Sequence, residues 1–124
     1  MRTILIVDDS PTFRRQARTL LSGEGFEVVG EAGDGVAAMA AIRDLRPQLV
    51  LLDVGLPDID GFDLVDRLMR EETATGNPML VVLTSSREAA AYRGRLRRTA
   101  ATGFIPKDEL SGAAIDALLA VDQG

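Results

Sequence analysis

LVLLDVGLPDIDG, residues 49–61, is the segment that decides the fold. Its first four residues are apolar, which is typical of a strand buried on both faces of a parallel sheet. The apolar run stops at the carboxylate of Asp53, and Gly55, Pro57 and Gly61 then favour turns. Open α/β sheets bind ligands at the carboxyl ends of their strands, so Asp53 is a candidate site residue. The alternative is that Asp53 only caps a turn.

Strand-like apolar runs alternate with helical periodicity along the rest of the chain. The predicted strands are residues 3–7, 26–29, 49–52, 79–83 and 103–105. Helices are predicted from Pro11 behind a Ser10 cap, from Asp34-Gly35, from about Gly61, over residues 87–98 and near Leu110, with a turn at Asn77-Pro78. This alternation predicts an α/β fold: a doubly wound (βα)₅ parallel sheet in the order 2-1-3-4-5, with helices on both faces.

The composition limits the chemistry that the chain can perform. A length of 124 residues fits one domain. Without Cys or His, disulfides, thiolate metal sites and histidine acid–base chemistry are excluded. A bound metal would need oxygen ligands, which favours Mg²⁺, Mn²⁺ or Ca²⁺.

The charge and the length of the apolar runs bear on partners and location. A formal net charge of -5 argues against nucleic acid as the direct partner. The apolar runs are too short to span a bilayer, and Asp8-Asp9 comes too early to leave room for a signal-peptide core. We therefore expect a soluble cytoplasmic protein without a membrane partner.

Polar residues stand at the ends of four predicted strands. They are Asp8 and Asp9, Asp53, Thr84 and Lys107, the last being the only Lys among 14 basic residues. In the order 2-1-3-4-5 these strands are neighbours, so the side chains should converge at one edge of the sheet. Taken singly, each has an ordinary explanation as a cap, a turn residue, a helix start or a surface charge.

The converging residues form a chemically coherent set. Two carboxylates about 4 Å apart repel by roughly 4 kcal/mol at an effective dielectric constant near 20, so three of them require a cation. Two can hold Mg²⁺, or Mn²⁺ in its place, while Asp53 attacks an electrophile. If that electrophile is phosphorus, the product is an acyl phosphate, and Lys107 and Thr84 are donors for its oxygens.

These residues resemble the receiver domain of two-component response regulators. The resemblance covers essentially the whole chain, residues 1–124, and implies a flavodoxin-like fold. It rests on four motifs: Val7-Asp8-Asp9-Ser10, residues 52–61, Val82-Leu83-Thr84 and Gly103-Phe104-Ile105-Pro106-Lys107. No effector domain follows, so we expect a single receiver domain that is either a stand-alone protein or a fragment of a longer regulator.

The resemblance implies a role for each matched residue. Asp53 would accept a phosphoryl group from a phosphohistidine of a sensor histidine kinase or a histidine phosphotransfer protein. Asp8 or Asp9 would bind Mg²⁺ together with Asp53 and the backbone carbonyl of Gly55. Thr84 and Lys107 would contact the phosphoryl group. Catalysis would be limited to the domain's own phosphorylation and dephosphorylation, so the protein is not expected to be an enzyme in the ordinary sense.

A conformational switch is implied as well. Phe104 matches the aromatic residue that turns inward as the threonine, here Thr84, moves. The alternative for Phe104 is a plain core aromatic residue. The output face would consist of helix four, strand five and the last helix, and it would bind a downstream partner or a second copy. Helix four is basic through Arg87, Arg93, Arg95, Arg97 and Arg98, which is also typical of a solvated face.

Two positions depart from the family pattern. Asp108 follows Lys107 where the family often has proline, which leaves the geometry of that loop open. Gly55 stands where bulkier side chains are common, and Ser85 and Ser86 are the other residues expected to flank the phosphoryl group. The hypothesis that follows is a relatively fast loss of phosphate, because water can reach the group.

Two other classes of function compete with a phosphoacceptor. An unphosphorylated receiver-like docking module would not need the complete set of Asp8, Asp9, Asp53, Thr84 and Lys107. Phosphatases of the haloacid dehalogenase type carry Asp-x-Asp after the first strand, whereas this chain has Asp8-Asp9 and no room for a substrate cap.

Overall fold

A five-stranded parallel sheet forms the centre of the protein in a computed structural model. The structure describes residues 1–75 and 79–123, of which residues 72–75 and 121–123 are described by their backbone alone. The strands are β1 Arg2–Val7, β2 Phe26–Ala32, β3 Leu49–Asp53, β4 Leu80–Ser85 and β5 Gly103–Pro106. Their order is β2-β1-β3-β4-β5, so the predicted topology is confirmed. The predicted turn at Asn77-Pro78 lies outside the described residues.

Five α-helices connect or follow these strands. They are α1 Pro11–Ser22, α2 Gly35–Leu45, α3 Gly61–Thr75, α4 Arg93–Arg98 and α5 Gly112–Gln123. The starts of α1 and α2 follow from the sequence, since the side chains of Ser10 and Asp34 accept hydrogen bonds from the first turns. Within the described ranges, no helix is long and apolar enough to cross a bilayer.

The prediction for the fourth helix was only partly right. Residues Ala89–Tyr92 form a 3₁₀ turn, and α4 begins only at Arg93. Tyr92 has the non-helical dihedral angles φ -121° and ψ 18°. Its ring lies between those of Phe62 and Phe104, so long-range packing interrupts the helix that local periodicity predicts.

Two strands, β2 and β4, extend by two or more residues beyond their predicted ends. Residues 30–32 continue β2 because Val29 forms a bulge opposite β1, and pairing resumes between Leu5 and Gly30. Thr84 and Ser85 belong to β4, because they pair with Ile105 and Pro106 of β5. Thr84 is therefore the penultimate residue of the strand and does not follow it.

The alternating side chains of β3 enter two separate hydrophobic clusters. Val50 and Leu52 pack with residues of α2 and α3, whereas Leu49 and Leu51 pack with residues of α1 and α5. All four are at most 1% exposed, which confirms that the strand is buried on both faces. This packing fixes the position at which β3 ends, and thereby the position of Asp53.

Candidate functional site

Three carboxylates meet at the carboxyl edge of the sheet, as the sequence predicts. Asp8 and Asp9 follow β1 and Asp53 ends β3, and one carboxylate oxygen from each lies within 4.8 Å of the others. Asp8 and Asp53 are buried, while Asp9 is exposed. The Asp8 amide donates to the Ala32 carbonyl at 3.0 Å, which ties the end of β1 to β2.

Asp53 lies in an environment that disfavours its charge. Burial raises the pKa of Asp53 and the negative charge of Asp8 raises it further, while the Gly55 amide and Lys107 act in the opposite direction. The Gly55 amide donates to Asp53 Oδ1 at 3.2 Å. The net rise in the pKa means that the folded protein disfavours the charged form of Asp53. Carboxylates with such shifted pKa values are common at functional sites.

The Lys107 ammonium group reaches into the pocket from the start of a 3₁₀ turn, Lys107–Glu109. Its Nζ lies 2.7 Å from Asp8 Oδ2 and 3.7 Å from Asp53 Oδ2. It also lies 4.5 Å from the centre of the Phe13 ring, a cation–π contact with α1. The loop thus brings Lys107 to the carboxylates although Asp108, not proline, follows it.

Thr84 stands beside Asp53 on the neighbouring strand, since the two are register partners in the β3–β4 ladder. The side chain is fully buried, and its Oγ1 has no hydrogen-bond partner within the part of the chain that the structure describes. Buried hydroxyl groups are normally satisfied. A buried hydroxyl group beside a carboxylate, without a partner among the described residues, is therefore a candidate hydrogen-bond donor to an oxygen of a bound group.

The positions predicted to flank a phosphoryl group differ in their surroundings. A Cβ atom at Gly55 would meet nothing within 4 Å, so the space next to Asp53 is open there. The Ser85 hydroxyl lies 3.0 Å from Tyr92 Oη and accepts a hydrogen bond from the Arg87 amide. Ser86 is exposed. Flanking by the two serines stays a prediction.

Phe104 is partly buried and contacts the aromatic residue that interrupts the fourth helix. The ring centres of Tyr92 and Phe104 are 5.8 Å apart, and those of Phe62 and Tyr92 are 5.7 Å apart. Tyr92 therefore joins the end of β4 to Phe104 on one side and to α3 on the other. The switch function of Thr84 and Phe104 stays a prediction.

The loop after Asp53 is tethered at two points that the sequence analysis missed. The Asp58 carboxylate accepts hydrogen bonds from the amides of Gly35 and Val36 at the start of α2. Asp60 accepts two hydrogen bonds from Arg95, at 2.8 and 2.7 Å. In the sequence, the two acidic residues of Asp58-Ile59-Asp60 were the only indication of these contacts. Their partners, Gly35 and Arg95, are 23 and 35 residues away, so no local pattern identifies them.

Arg95 is therefore not part of a uniformly solvated basic face. Its guanidinium group lies 4.4 Å from the centre of the Phe62 ring in addition to its two bonds with Asp60. Burial acts to raise the pKa of Asp60, but the hydrogen bonds from Arg95 and from the Phe62 amide outweigh it, and the net pKa is lowered. Arg93 and Arg97 on the same helix are exposed.

The chain matches the family model of the response regulator receiver domain over residues 4–119. It belongs to that family and is a receiver domain of the two-component type. The expected family and the expected fold are thereby both confirmed.

Individual relatives agree with this assignment. The virulence-factor transcription regulator BvgA of Bordetella pertussis is 35% identical over 121 residues, which are 98% of this chain and 56% of that protein. A protein-glutamate methylesterase of Anaeromyxobacter dehalogenans is 43% identical over 73% of this chain, but only over 26% of its own length. The chain thus spans about half or less of these relatives, and the methylesterase activity is not carried over.

A solved structure supports the fold independently. The signal receiver domain of the response regulator NarL from Mycobacterium tuberculosis superposes with a TM-score of 0.74 at 31% identity. The match covers 95% of this chain and 96% of that domain.

Proposed function

We propose that Asp53 is the phosphoacceptor of this receiver domain and that the donor is the phosphohistidine of a histidine kinase or a histidine phosphotransfer protein. The observation that carries the proposal is the meeting of three groups at one edge of the sheet: Asp53, the Lys107 ammonium group and the Thr84 hydroxyl, which has no partner among the described residues. A carboxylate nucleophile with two donors beside it matches what phosphoryl transfer requires.

The proposed reaction balances without a further reactant. An oxygen of the Asp53 carboxylate attacks phosphorus, the P–N bond of the phosphohistidine breaks, and the imidazole leaves with the electron pair of that bond. Asp53 then carries an acyl phosphate. Lys107, which lies 3.7 Å from Asp53 Oδ2, and the Thr84 hydroxyl would donate to the phosphoryl oxygens.

The acidic cluster fits a hard divalent cation. Its ligand atoms are carboxylate oxygens within 4.8 Å of one another. Asp8 Oδ2 is buried and accepts no well-directed hydrogen bond from the described residues, although the Lys107 ammonium group lies 2.7 Å away. Asp8, Asp9, Asp53 and the backbone carbonyl of Gly55 would hold Mg²⁺, with Mn²⁺ as a substitute. The bound ion would supply charge neutralisation for the phosphoryl oxygens.

The output would be a population shift at one face of the domain. Phosphorylation would draw the Thr84 hydroxyl toward the phosphoryl group and let Phe104 turn inward. Because Phe104 contacts Tyr92 just before α4, such a movement would change the face formed by α4, β5 and α5. A downstream protein or a second copy of the chain would bind there.

Intact-mass measurement with a small acyl-phosphate donor tests the proposal directly. We expect one phosphoryl adduct that requires Mg²⁺ and is absent from Asp53→Asn. Asp9→Asn keeps the nucleophile and is expected to slow the reaction through weaker Mg²⁺ binding. The lack of an adduct on the wild-type protein, with the small donor and with a histidine kinase alike, would instead favour a docking module.

A longer side chain at Gly55 is expected to prolong the life of the phosphorylated form. The open space at this position leaves a path for water to the phosphorus, and Gly55→Gln would fill it. We expect a several-fold slower loss of the adduct in Mg²⁺, followed by intact mass over time. Gly55→Ala, which adds one methyl group, serves as the control and should decay almost as fast as the wild type. Equal decay of all three proteins would contradict the hypothesis.

A further inference from the structure

Arg14 joins three elements next to the acidic cluster, and no step of the proposed phosphoryl transfer uses it. From α1, its Nη1 donates to the backbone carbonyl of Asp8 at the end of β1. Its Nε donates to Glu31 Oε1 on β2 at 3.2 Å. The side chain is only 20% exposed, so it is held in place more firmly than a surface arginine.

Glu31 holds Arg14 in this position. One carboxylate oxygen contacts Arg14, and the other lies 2.6 Å from Nε of Arg18, one turn further along α1. The hydrogen bond from Arg18 is the largest cause that lowers the pKa of Glu31; burial opposes it, and Arg14 adds to the lowering. A Cβ atom at Gly33 would come within 3.3 Å of Arg14 Nη1, so the glycine leaves the guanidinium group room.

The bond to the Asp8 carbonyl acts on the metal ligands through the backbone. The carbonyl of Asp8 and the amide of Asp9 belong to one peptide plane. Holding that plane restricts the directions in which the side chains of Asp8 and Asp9 leave the backbone. On the N-terminal side of Asp8, its amide donates to the Ala32 carbonyl. The Asp8 side chain itself accepts a hydrogen bond from the Ser10 amide, at 2.8 Å to Oδ1.

We propose that Arg14 is a positioning residue for divalent-metal binding, and that Glu31 acts on the same site by orienting Arg14. This inference rests on the proposed function, because it concerns the cation site that would serve phosphoryl transfer. Groups that orient metal ligands commonly change metal affinity by tenfold or more when they are removed. Arg14 would act indirectly, because it contacts the backbone carbonyl of Asp8 and not a carboxylate that would bind the metal.

Charge alone predicts the opposite effect, which makes the inference testable. Removing a cation near a cation site should strengthen Mg²⁺ binding. Removing a positioning group should weaken it. Arg18 provides a matched control on the same helix, because it shares the Glu31 partner but has no contact with Asp8 among the described hydrogen bonds.

The experiment is calorimetric titration of Mg²⁺ into the full chain without a phosphodonor. For Arg14→Met we expect about tenfold weaker binding, and for Arg18→Met binding equal to or slightly tighter than the wild type. The unfolding midpoint should fall further for Arg14→Met than for Arg18→Met, because both variants lose an ion pair with Glu31 but only Arg14→Met also loses the hydrogen bond to the Asp8 carbonyl. If Arg14→Met does not fold, Arg14→Lys replaces it, with weaker Mg²⁺ binding again expected. A single ammonium group cannot donate to the Asp8 carbonyl and to Glu31 with the geometry of a guanidinium group.

The coupling with Glu31 gives a second test. Glu31→Gln should weaken Mg²⁺ binding in the wild-type background and have little further effect in the Arg14→Met background. Mg²⁺ affinity that is unchanged or higher in Arg14→Met would overturn the inference while leaving the phosphoacceptor proposal intact, provided that wild-type protein still takes one phosphoryl group. Absence of Mg²⁺ binding to the wild type would overturn both.

Discussion

Lys107→Met is expected to lower the free energy of unfolding by about 3 kcal/mol in metal-free solution near pH 7.5. The variant removes the ammonium group that lies 2.7 Å from Asp8 Oδ2 and 3.7 Å from Asp53 Oδ2. Asp8 is fully buried, and a buried charge without its partner is costly. The methionine keeps an apolar stem against the Phe13 ring, so the loss reports charge more than packing.

The loss of unfolding free energy in Lys107→Met should depend on pH, because the variant changes the pKa of Asp53. Burial and Asp8 already raise the pKa of Asp53 in the folded protein, and removal of Lys107 raises it further. A group whose pKa is higher in the folded than in the unfolded state contributes stability at low pH, and that contribution is lost as the pH rises through the folded-state pKa. The difference in free energy of unfolding between the wild type and Lys107→Met is therefore expected to be smaller near pH 5 than near pH 7.5.

Urea unfolding followed by far-ultraviolet circular dichroism measures this difference. Lys107→Arg is the control, because it keeps the positive charge and should recover most of the stability. Added Mg²⁺ should stabilise Lys107→Met more than the wild type, since the ion no longer competes with an ammonium group for the same oxygens. A variant as stable as the wild type at both pH values and equally responsive to Mg²⁺ would show that Lys107 does not neutralise the pocket.

The parts of the fold that follow from local pattern were predictable. The apolar run of residues 49–52, buried in two clusters, and the Ser10 and Asp34 caps needed only periodicity and capping chemistry. Once the strand order followed from the alternation of elements, the meeting of Asp53 with Thr84 and Lys107 also followed. The carboxyl ends of β3, β4 and β5 lie side by side in that order at one edge of the parallel sheet, whatever their side chains are.

Features that depend on distant side chains were not predictable. The start of α4 at Arg93 depends on Tyr92, whose position is set by rings at 62 and 104. The bonds of Arg95 to Asp60 and of Arg14 to the Asp8 carbonyl link residues whose partners no local spacing identifies. Such residues look like ordinary surface arginines in the sequence, and only packing distinguishes them.

Gly61→Ala is expected to destabilise the protein by about 2 kcal/mol, although alanine is the better helix former within a helix. Gly61 is the first residue of α3, and its amide donates to the Val54 carbonyl at 2.8 Å. A Cβ atom there would lie 2.6 Å from Val54 Cα and 2.8 Å from the Asp53 carbonyl oxygen. Both contacts are with backbone, which cannot rotate away as a side chain can.

The overlap falls on the residue that would accept the phosphoryl group, so the variant should also slow phosphorylation by the small donor. Gly55→Ala is a matched control in the same loop, because its methyl group enters open space and neither glycine has a positive φ. Its free energy of unfolding should stay within about 0.5 kcal/mol of the wild type. Equal stability of Gly61→Ala and Gly55→Ala in urea unfolding would contradict the steric argument. A loss of this size would mean that the close approach of α3 to the backbone of Asp53 and Val54 adds to the packing of β3 in holding the carboxylate at the edge of the sheet.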